Sequence, residues 1–283
     1  MNILITGAGG FIGSALDKHL SKQHNIYRVI RESSGDSSPA TIVMDLTNVN
    51  AVKNALAIIL PLSVKFDVII HCAAILATDE NRNDMNVFHA NNRITENVIF
   101  LAKELAVEKI INLSTIGVYP NADGRYNELS PVHPGVNTEC LYSLSKFCSE
   151  ELFFYLLKDT AVINLRLSQV YGNGMRNDRI YSIMKNELEK SNRITVWGNG
   201  ERVSNFMSVD FLLGTIDRIL VSRNIEGTFN VGEENITYLQ LAEKIIKEAG
   251  NTTAQIIREN KGVRAKVEID CTKIEKQLEN NAG

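Results

Sequence analysis

An α/β fold, a doubly wound parallel sheet with a smaller mixed α/β unit behind it, follows from three features of this 283-residue chain. The apolar run Asn2 to Thr6 passes straight into glycines at positions 7, 10 and 13, and then into a helical pattern. Short apolar runs then alternate with amphipathic stretches as far as Leu167. Beyond Leu167 the rhythm breaks into shorter, unevenly spaced segments. Strands alternating with helices through right-handed crossovers build a parallel sheet covered on both faces.

The first strand, Asn2 to Thr6, is continuously apolar, as a buried parallel strand requires. Gly7-x-x-Gly10-x-x-Gly13 and the helix through Ala15, Leu16 and Leu20 follow it. A helix N-terminus with free N–H groups accepts a pyrophosphate. Gly7 allows the tight turn, Gly10 lets backbone meet phosphate, and Gly13 lets helix approach strand. This is the opening of a Rossmann-type dinucleotide fold. Ile26 to Ile30 reads as the second strand, with Arg31 at its end. An acid there suits a ribose 2′-OH and an arginine suits a 2′-phosphate, so Arg31 with Ser33 and Ser34 leans toward NADP over NAD. The alternative is an exposed loop arginine, and Glu32 leaves NAD open.

Residues 33–39 form a polar loop, Thr41 to Met44 the third strand, and Asp45-Leu46 its end at the adenine position. A helix over Ala51 to Leu60 stops at Pro61. The strand Phe66 to Cys72 runs into Ala73 and Ala74, small residues at a carboxyl end where ligands bind in such sheets. They serve either core packing or close approach to a cofactor. From Asn86 to Ala106, apolar residues every three or four positions mark a long amphipathic helix. The strand Lys109 to Leu113 ends in Ser114-Thr115, and the Pro- and Gly-bearing stretch from Pro120 to Thr138 reads as a long loop.

The next helix, Leu141 to Leu157, carries Tyr142-x-x-x-Lys146. Four-residue spacing puts phenol and ammonium on one face, where the cation favours tyrosinate and lowers the phenol pKa toward working pH. Such a phenol exchanges a proton with a substrate hydroxyl. Tyr181-x-x-x-Lys185 has the same spacing, but it lies past the next strand and reads as a solvated pair. Residues 152–157 are apolar on every side, which predicts burial all round. Together with the Asn86–Ala106 helix, that predicts a homodimer interface; coverage by the chain's own loops is the alternative.

Strand Ala161 to Leu167 completes the first unit, residues 1–170, as the dinucleotide-binding domain. Residues 171–283 make the substrate-binding unit, with some segments returning to the Rossmann sheet. Within it are a helix from Ile180 to Lys190, a tight turn between short strands at Gly198-Asn-Gly200, and a further strand from Asn205 to Val209. A helix from Asp210 to Val221, a strand from Thr228 to Val231 and a helix from Tyr238 to Ala249 follow.

Composition excludes other classes. With 30 basic against 33 acidic residues, the net charge of −3 offers no electrostatic basis for binding nucleic acid or an anionic membrane. A buried strand beginning at Asn2 leaves no room for a signal peptide, and no apolar run spans a bilayer. Four cysteines without CxxC spacing suit free thiols in a reducing cytoplasm, and five scattered histidines make no metal site.

Taken in order, these segments resemble the extended short-chain dehydrogenase/reductase family, in its NAD-dependent nucleotide-sugar epimerase/dehydratase branch. The resemblance runs from Asn2 to about Asp270. It rests on Gly7-x-x-Gly10-Phe11-Ile12-Gly13, Asp45-Leu46, His71-Cys-Ala-Ala74, Ser114-Thr115-x-x-Val-Tyr119 and Tyr142-x-x-x-Lys146. Leu165-Arg166-Leu-Ser-Gln-Val-Tyr-Gly172, Gly198-Asn-Gly200 and Gly227-Thr-Phe-Asn-Val-Gly232 complete it.

The resemblance implies an NAD(P) cofactor and a nucleotide-sugar substrate. It makes Tyr142 the general acid/base, Lys146 the holder of the nicotinamide ribose, and Thr115 a hydrogen-bonding partner of the reacting oxygen. Phe11 and Ile12 join the glycines, Arg31, Asp45, Leu46, Ala73 and Ala74 at the cofactor, and Asn91 matches the structural asparagine of the long helix. Gln169 stands at an asparagine position, and Arg202 and Arg264 are the candidates to hold phosphate.

Departures matter as well. Ser204 stands where the branch carries its diphosphate-gripping arginine, Asn173 where proline is common and Phe211 where aspartate is. In resembling 4,6-dehydratases an Asp-Glu pair follows the threonine; here Ile116 and Gly117 do, and neither carries a proton. Bifunctional epimerase–reductases place a cysteine at the second of these positions and a histidine beyond the sixth strand. This chain has Gly117 there and no histidine after His133. The expectation is hydride transfer alone, by an epimerase or a carbonyl reductase. A reductase of a non-sugar ketone and a non-catalytic dinucleotide sensor are the rival readings.

Overall fold

The computed structural model describes residues 1–32 and 40–280. The chain opens with β1 (Asn2–Thr6), α1 (Phe11–Leu20), β2 (Asn25–Ile30), β3 (Thr41–Val43) and α2 (Val49–Ile59). β4 (Val68–His71), α3 (Met85–Glu104), β5 (Lys109–Thr115), β6 (Gly124–Tyr126) and α4 (Cys140–Leu156) follow. Next come β7 (Ala161–Leu167), β8 (Gln169–Tyr171), α5 (Ile180–Ser191), β9 (Arg193–Trp197), β10 (Val203–Ser208) and α6 (Val209–Val221). β11 (Gly227–Val231), β12 (Glu234–Thr237), α7 (Tyr238–Glu248), β13 (Gln255–Glu259), β14 (Val267–Ile269) and α8 (Thr272–Asn280) complete the described chain. The polar stretch 33–39, with Ser33 and Ser34, lies outside the described residues.

Seven strands form the expected parallel sheet in the order β11-β7-β5-β4-β1-β2-β3. Adjacent residues of each strand point to opposite faces. Ile3, Ile5, Ile70, Ile111 and Ile163 therefore meet Leu16 of α1, Ile216 of α6 and Ile274 of α8. Leu4, Ile69, Ile110 and Val162 meet Leu56 of α2, Val98 of α3 and Phe153 of α4 on the other side. Burial on both faces is why these strands read as unbroken apolar runs.

Polar residues mark where several helices start. Asn48 caps α2, Asp84 caps α3, Ser208 caps α6, and Thr237 with Gln240 forms a capping box on α7. The smaller unit has a separate core of Met184, Leu188, Ile194, Phe206, Leu241 and Ile245. β11 comes late in the chain yet pairs with β7 at the edge of the central sheet.

Four expectations are revised. The stretch Pro120 to Thr138 is not all loop, because β6 within it pairs with β14 from the far end of the chain. The Gly198–Gly200 turn does not join two paired strands: β9 pairs with β13, and β10 with β8 and β12. The backbone there is left-handed at three successive residues, with φ of 60°, 56° and 77°, which sends the chain away instead of folding it into a hairpin.

The apolar end of α4 is not buried all round. Phe153 and Leu157 are, whereas Tyr155 is 72 % exposed. Finally, Tyr181 and Lys185 do not form a solvated pair. The Tyr181 ring stacks on Tyr171 with centroids 4.4 Å apart, and its hydroxyl donates to Glu248 at 3.0 Å.

Candidate active site

The C-terminal ends of β1, β2, β4 and β5 open into one cleft of about 380 Å³. Its floor depends on glycine. Gly7 has φ of 69°, and a Cβ there would sit 2.8 Å from the backbone of Ala73. A Cβ on Gly13 would sit 2.2 Å from the Gly7 carbonyl oxygen. Gly10 donates its N–H to that same carbonyl at 2.9 Å and stands at the N-cap of α1 with no side-chain cap bond. The first turn of α1 thus keeps backbone N–H groups for a ligand, and the residues fit a dinucleotide pyrophosphate.

Most of the residues singled out by sequence meet in this cleft. Gly7, Gly10, Phe11, Ile12 and Gly13 line one wall, and Arg31, Asp45 and Leu46 line the end beyond β2 and β3. Ala73, Ala74, Tyr142 and Lys146 line the other end. Arg31 is two-thirds exposed and lies 3.3 Å from the Glu32 carboxylate, so both signs of charge stand at this end of the cleft. The Asp45 carboxylate accepts from the Thr47 N–H and hydroxyl at 2.9 and 2.7 Å.

Other candidates lie outside the lining. Asn91 is buried and holds Ile75 through both backbone groups, at 2.7 and 3.0 Å, and donates to Ser145 of α4 at 3.1 Å. It fastens the cleft wall to α4. Thr115, the last residue of β5, accepts from the Gly117 N–H at 3.0 Å. Gln169 donates to the Ser204 hydroxyl at 2.9 Å. The Arg202 guanidinium lies 4.9 Å from the Tyr238 ring centre, and Arg264 pairs with Asn260.

Gly117 has a steric reason to be glycine. A Cβ there would come within 2.6 Å of the Ser143 hydroxyl oxygen and 3.3 Å of the Thr115 one.

The electrostatics revise the reading of Tyr142. Burial, then the Glu139 carboxylate, push the phenol up to about 12, with Arg179 pulling the other way. The sequence argument expected Lys146 to lower it. Instead burial brings the Lys146 ammonium down to about 8, against the pull of Cys72 and Glu150. An ammonium that titrates near 8 is already neutral where a phenol at about 12 would ionise, so it supplies no cation to favour the tyrosinate.

Behind the cleft is a network whose members no single sequence motif brings together. Glu150 is fully buried, accepts from the Ser114 hydroxyl, and receives Arg166 through Nε at 3.1 Å and Nη2 at 2.8 Å. Arg166 also donates to the Tyr119 hydroxyl at 2.9 Å, which donates in turn to Asn230 at 2.8 Å. Burial opposes the Arg166 charge, and its bonds to Glu150 more than restore it. The available signal was the helical step 142, 146, 150, which aligns Tyr, Lys and Glu on one face.

Comparison with known proteins agrees with this geometry. The chain is 27% identical over 265 residues to a dTDP-D-glucose 4,6-dehydratase of Dictyostelium discoideum, covering 86% of this chain and 61% of that protein. This chain thus spans less than two thirds of that relative's length. It is 30% identical over 236 residues to a GDP-6-deoxy-D-talose 4-dehydrogenase of Aggregatibacter actinomycetemcomitans, covering 82% of this chain and 74% of the other. Among solved structures, a UDP-glucuronic acid 4-epimerase of Bacillus cereus in complex with NAD superposes with a TM-score of 0.79 at 21% identity, covering 99% and 90% of the two chains. The glycine turn, the Tyr142 helix and β11 all fall within residues 3–232, the span that matches the model of the NAD dependent epimerase/dehydratase family, and to that family this chain belongs.

Proposed function

We propose that this chain is an NAD(P)-dependent epimerase or carbonyl reductase acting on a nucleotide sugar by hydride transfer. The observation that carries the reading is that Tyr142 and Lys146 line the same cleft as the glycine turn. A nicotinamide held there would supply a reversible hydride acceptor. Residues 1–170 serve as the dinucleotide-binding part and 171–283 as the substrate-binding part. Tyr142 takes the hydroxyl proton of a secondary alcohol as its carbon gives up hydride, and returns it in the reverse step. Burial and Glu139 hold the phenol protonated, the form that donates to a ketone. Taking a hydroxyl proton needs the tyrosinate, which the positive charge of an oxidised nicotinamide beside it would favour. Lys146 holds the ribose, Thr115 the reacting oxygen, and Gln169, Arg202 and Arg264 the substrate. The names of the three related proteins all place their chemistry at position 4 of a sugar, which favours C4 as the reacting carbon.

Ile116 and Gly117 offer no second acid or base, and Ser143 closes the space a side chain at 117 would need. Incubation in D2O with dTDP-, UDP- and GDP-hexoses and NAD(P) should therefore give a C4 epimer, or with the matching 4-ketohexoses and NAD(P)H a reduced sugar, with no deuterium on carbon. Deuterium at C3 or C5 would reveal an acid/base pair and overturn hydride transfer alone. A reductase of a non-sugar ketone is favoured by one feature: Ser204 is buried and engaged by Gln169, so no guanidinium stands there to grip a diphosphate.

Arg31 supports NADP over NAD. A charge-assisted bond to a 2′-phosphate is worth about 1.5–3 kcal/mol, so Arg31→Ala should weaken NADP binding roughly ten- to a hundredfold and spare NAD. Equal losses for both would make Arg31 a loop residue. The exposed Tyr155 and Leu156 on α4, which packs against α3, support a homodimer through these helices. Sedimentation at micromolar concentration showing only a 31.5 kDa species would exclude it. The free thiols suit a reducing cytoplasm, and no helix among the described residues is long and apolar enough to cross a membrane.

A further inference from the structure

Glu139 is the N-cap residue of α4, three positions before Tyr142, so carboxylate and phenol stand on the same side of the first turn. Arg179 is the N-cap residue of α5, in the smaller unit. Its Nη1 donates to the Glu139 carboxylate at 2.8 Å, and both side chains are little more than a third exposed. No helical capping requirement explains the pair, since neither side chain caps its own helix. The stretch leading to Arg179 is anchored a second time across the cleft, where Arg176 donates to the Ala77 carbonyl at 3.4 Å.

We propose that Glu139 and Arg179 are a positioning pair for the Tyr142 phenol, a couple of opposite charges that fastens the start of α5 to the first turn of α4 beside the site of proton transfer. The inference rests on Tyr142 as the proton-transfer residue. The two charges act on the phenol in opposite senses: Glu139 raises its pKa and Arg179 lowers it, after the larger effect of burial. Lys146 lies one helical turn further along α4, with Cys72 from the strand end and Glu150 acting on it. Arg31 is at the opposite end of the cleft lining. The pair therefore lets the two units meet without leaving one uncompensated charge against the phenol. Losing either partner shifts the phenol one way or the other.

Titration of the phenol tests this without relying on turnover. The full chain is labelled with 13Cζ-tyrosine, the Tyr142 resonance is assigned by its loss in Tyr142→Phe, and folding is followed by circular dichroism at each pH. Glu139→Gln should lower the Tyr142 midpoint by about half a unit to one unit relative to wild type. Arg179→Met should raise it by a similar amount, and Arg179→Lys should return it to the wild-type value. Midpoints unmoved in Glu139→Gln and Arg179→Met, with the fold intact, would overturn the pair. Absence of turnover with every nucleotide sugar would overturn the functional reading, and the titration would still judge the pair.

Discussion

Tyr142→Phe is expected to lower turnover about a hundred- to ten-thousandfold, the usual loss when a positioned acid/base is removed. The substitution deletes one oxygen and leaves the ring, so the shape of the cleft wall is kept. Cofactor affinity should stay close to wild type, because the glycine turn, Asp45 and Lys146 are untouched. The control is Tyr181→Phe, whose phenol has the same spacing to a lysine but bonds Glu248 in the smaller unit. It should lose no more than the bond, about 0.5–1.5 kcal/mol of stability, with turnover unchanged. Steady-state rates for both variants decide the matter. A Tyr142→Phe rate within tenfold of wild type would remove this residue from the mechanism.

Arg166→Met should cost about 3–5 kcal/mol of folding stability, as expected when one partner of a buried ion pair is removed. Arg166 and Glu150 side chains are 5% and 1% exposed, so the carboxylate left behind would have neither water nor a bonded counter-charge. The Tyr119 hydroxyl would also lose its Arg166 donor, while the Ser114 hydroxyl would keep its bond to the stranded Glu150 carboxylate. The double variant Arg166→Met/Glu150→Leu should recover much of that loss, because it removes the stranded charge. Urea unfolding measures both, through the midpoint at constant slope. A single-variant cost below about 1 kcal/mol would mean the pair is solvated and not part of the core.

The strand–helix alternation was legible because each strand is buried on two faces and each helix on one, and those burials write periods directly into the residue order. The cofactor end of the candidate site was legible for a similar reason. Gly7 has a left-handed φ and Gly10 and Gly13 crowd the Gly7 carbonyl, all within one turn, and Tyr142 and Lys146 are brought to one face by helical spacing alone. Local geometry needs no distant partner, so it survives in a string of residues.

What the residue order left open depends on pairs far apart in the chain. Nothing near Gly124 announces that β6 will find β14, and nothing near Gly198 says which strand β9 will join. Arg166 and Glu150 belong to a strand and a helix, and only the packing of α4 on the sheet makes them partners. The phenol pKa is the sharpest case. Spacing on α4 by itself argued for lowering by Lys146, but desolvation by the assembled cleft and a carboxylate paired to the smaller unit turn the shift upward. The sequence alone determined which chemical groups are present and which local turns they favour. Only the tertiary structure decided their dielectric surroundings and charged neighbours, because both are set by atoms that the chain order does not bring together.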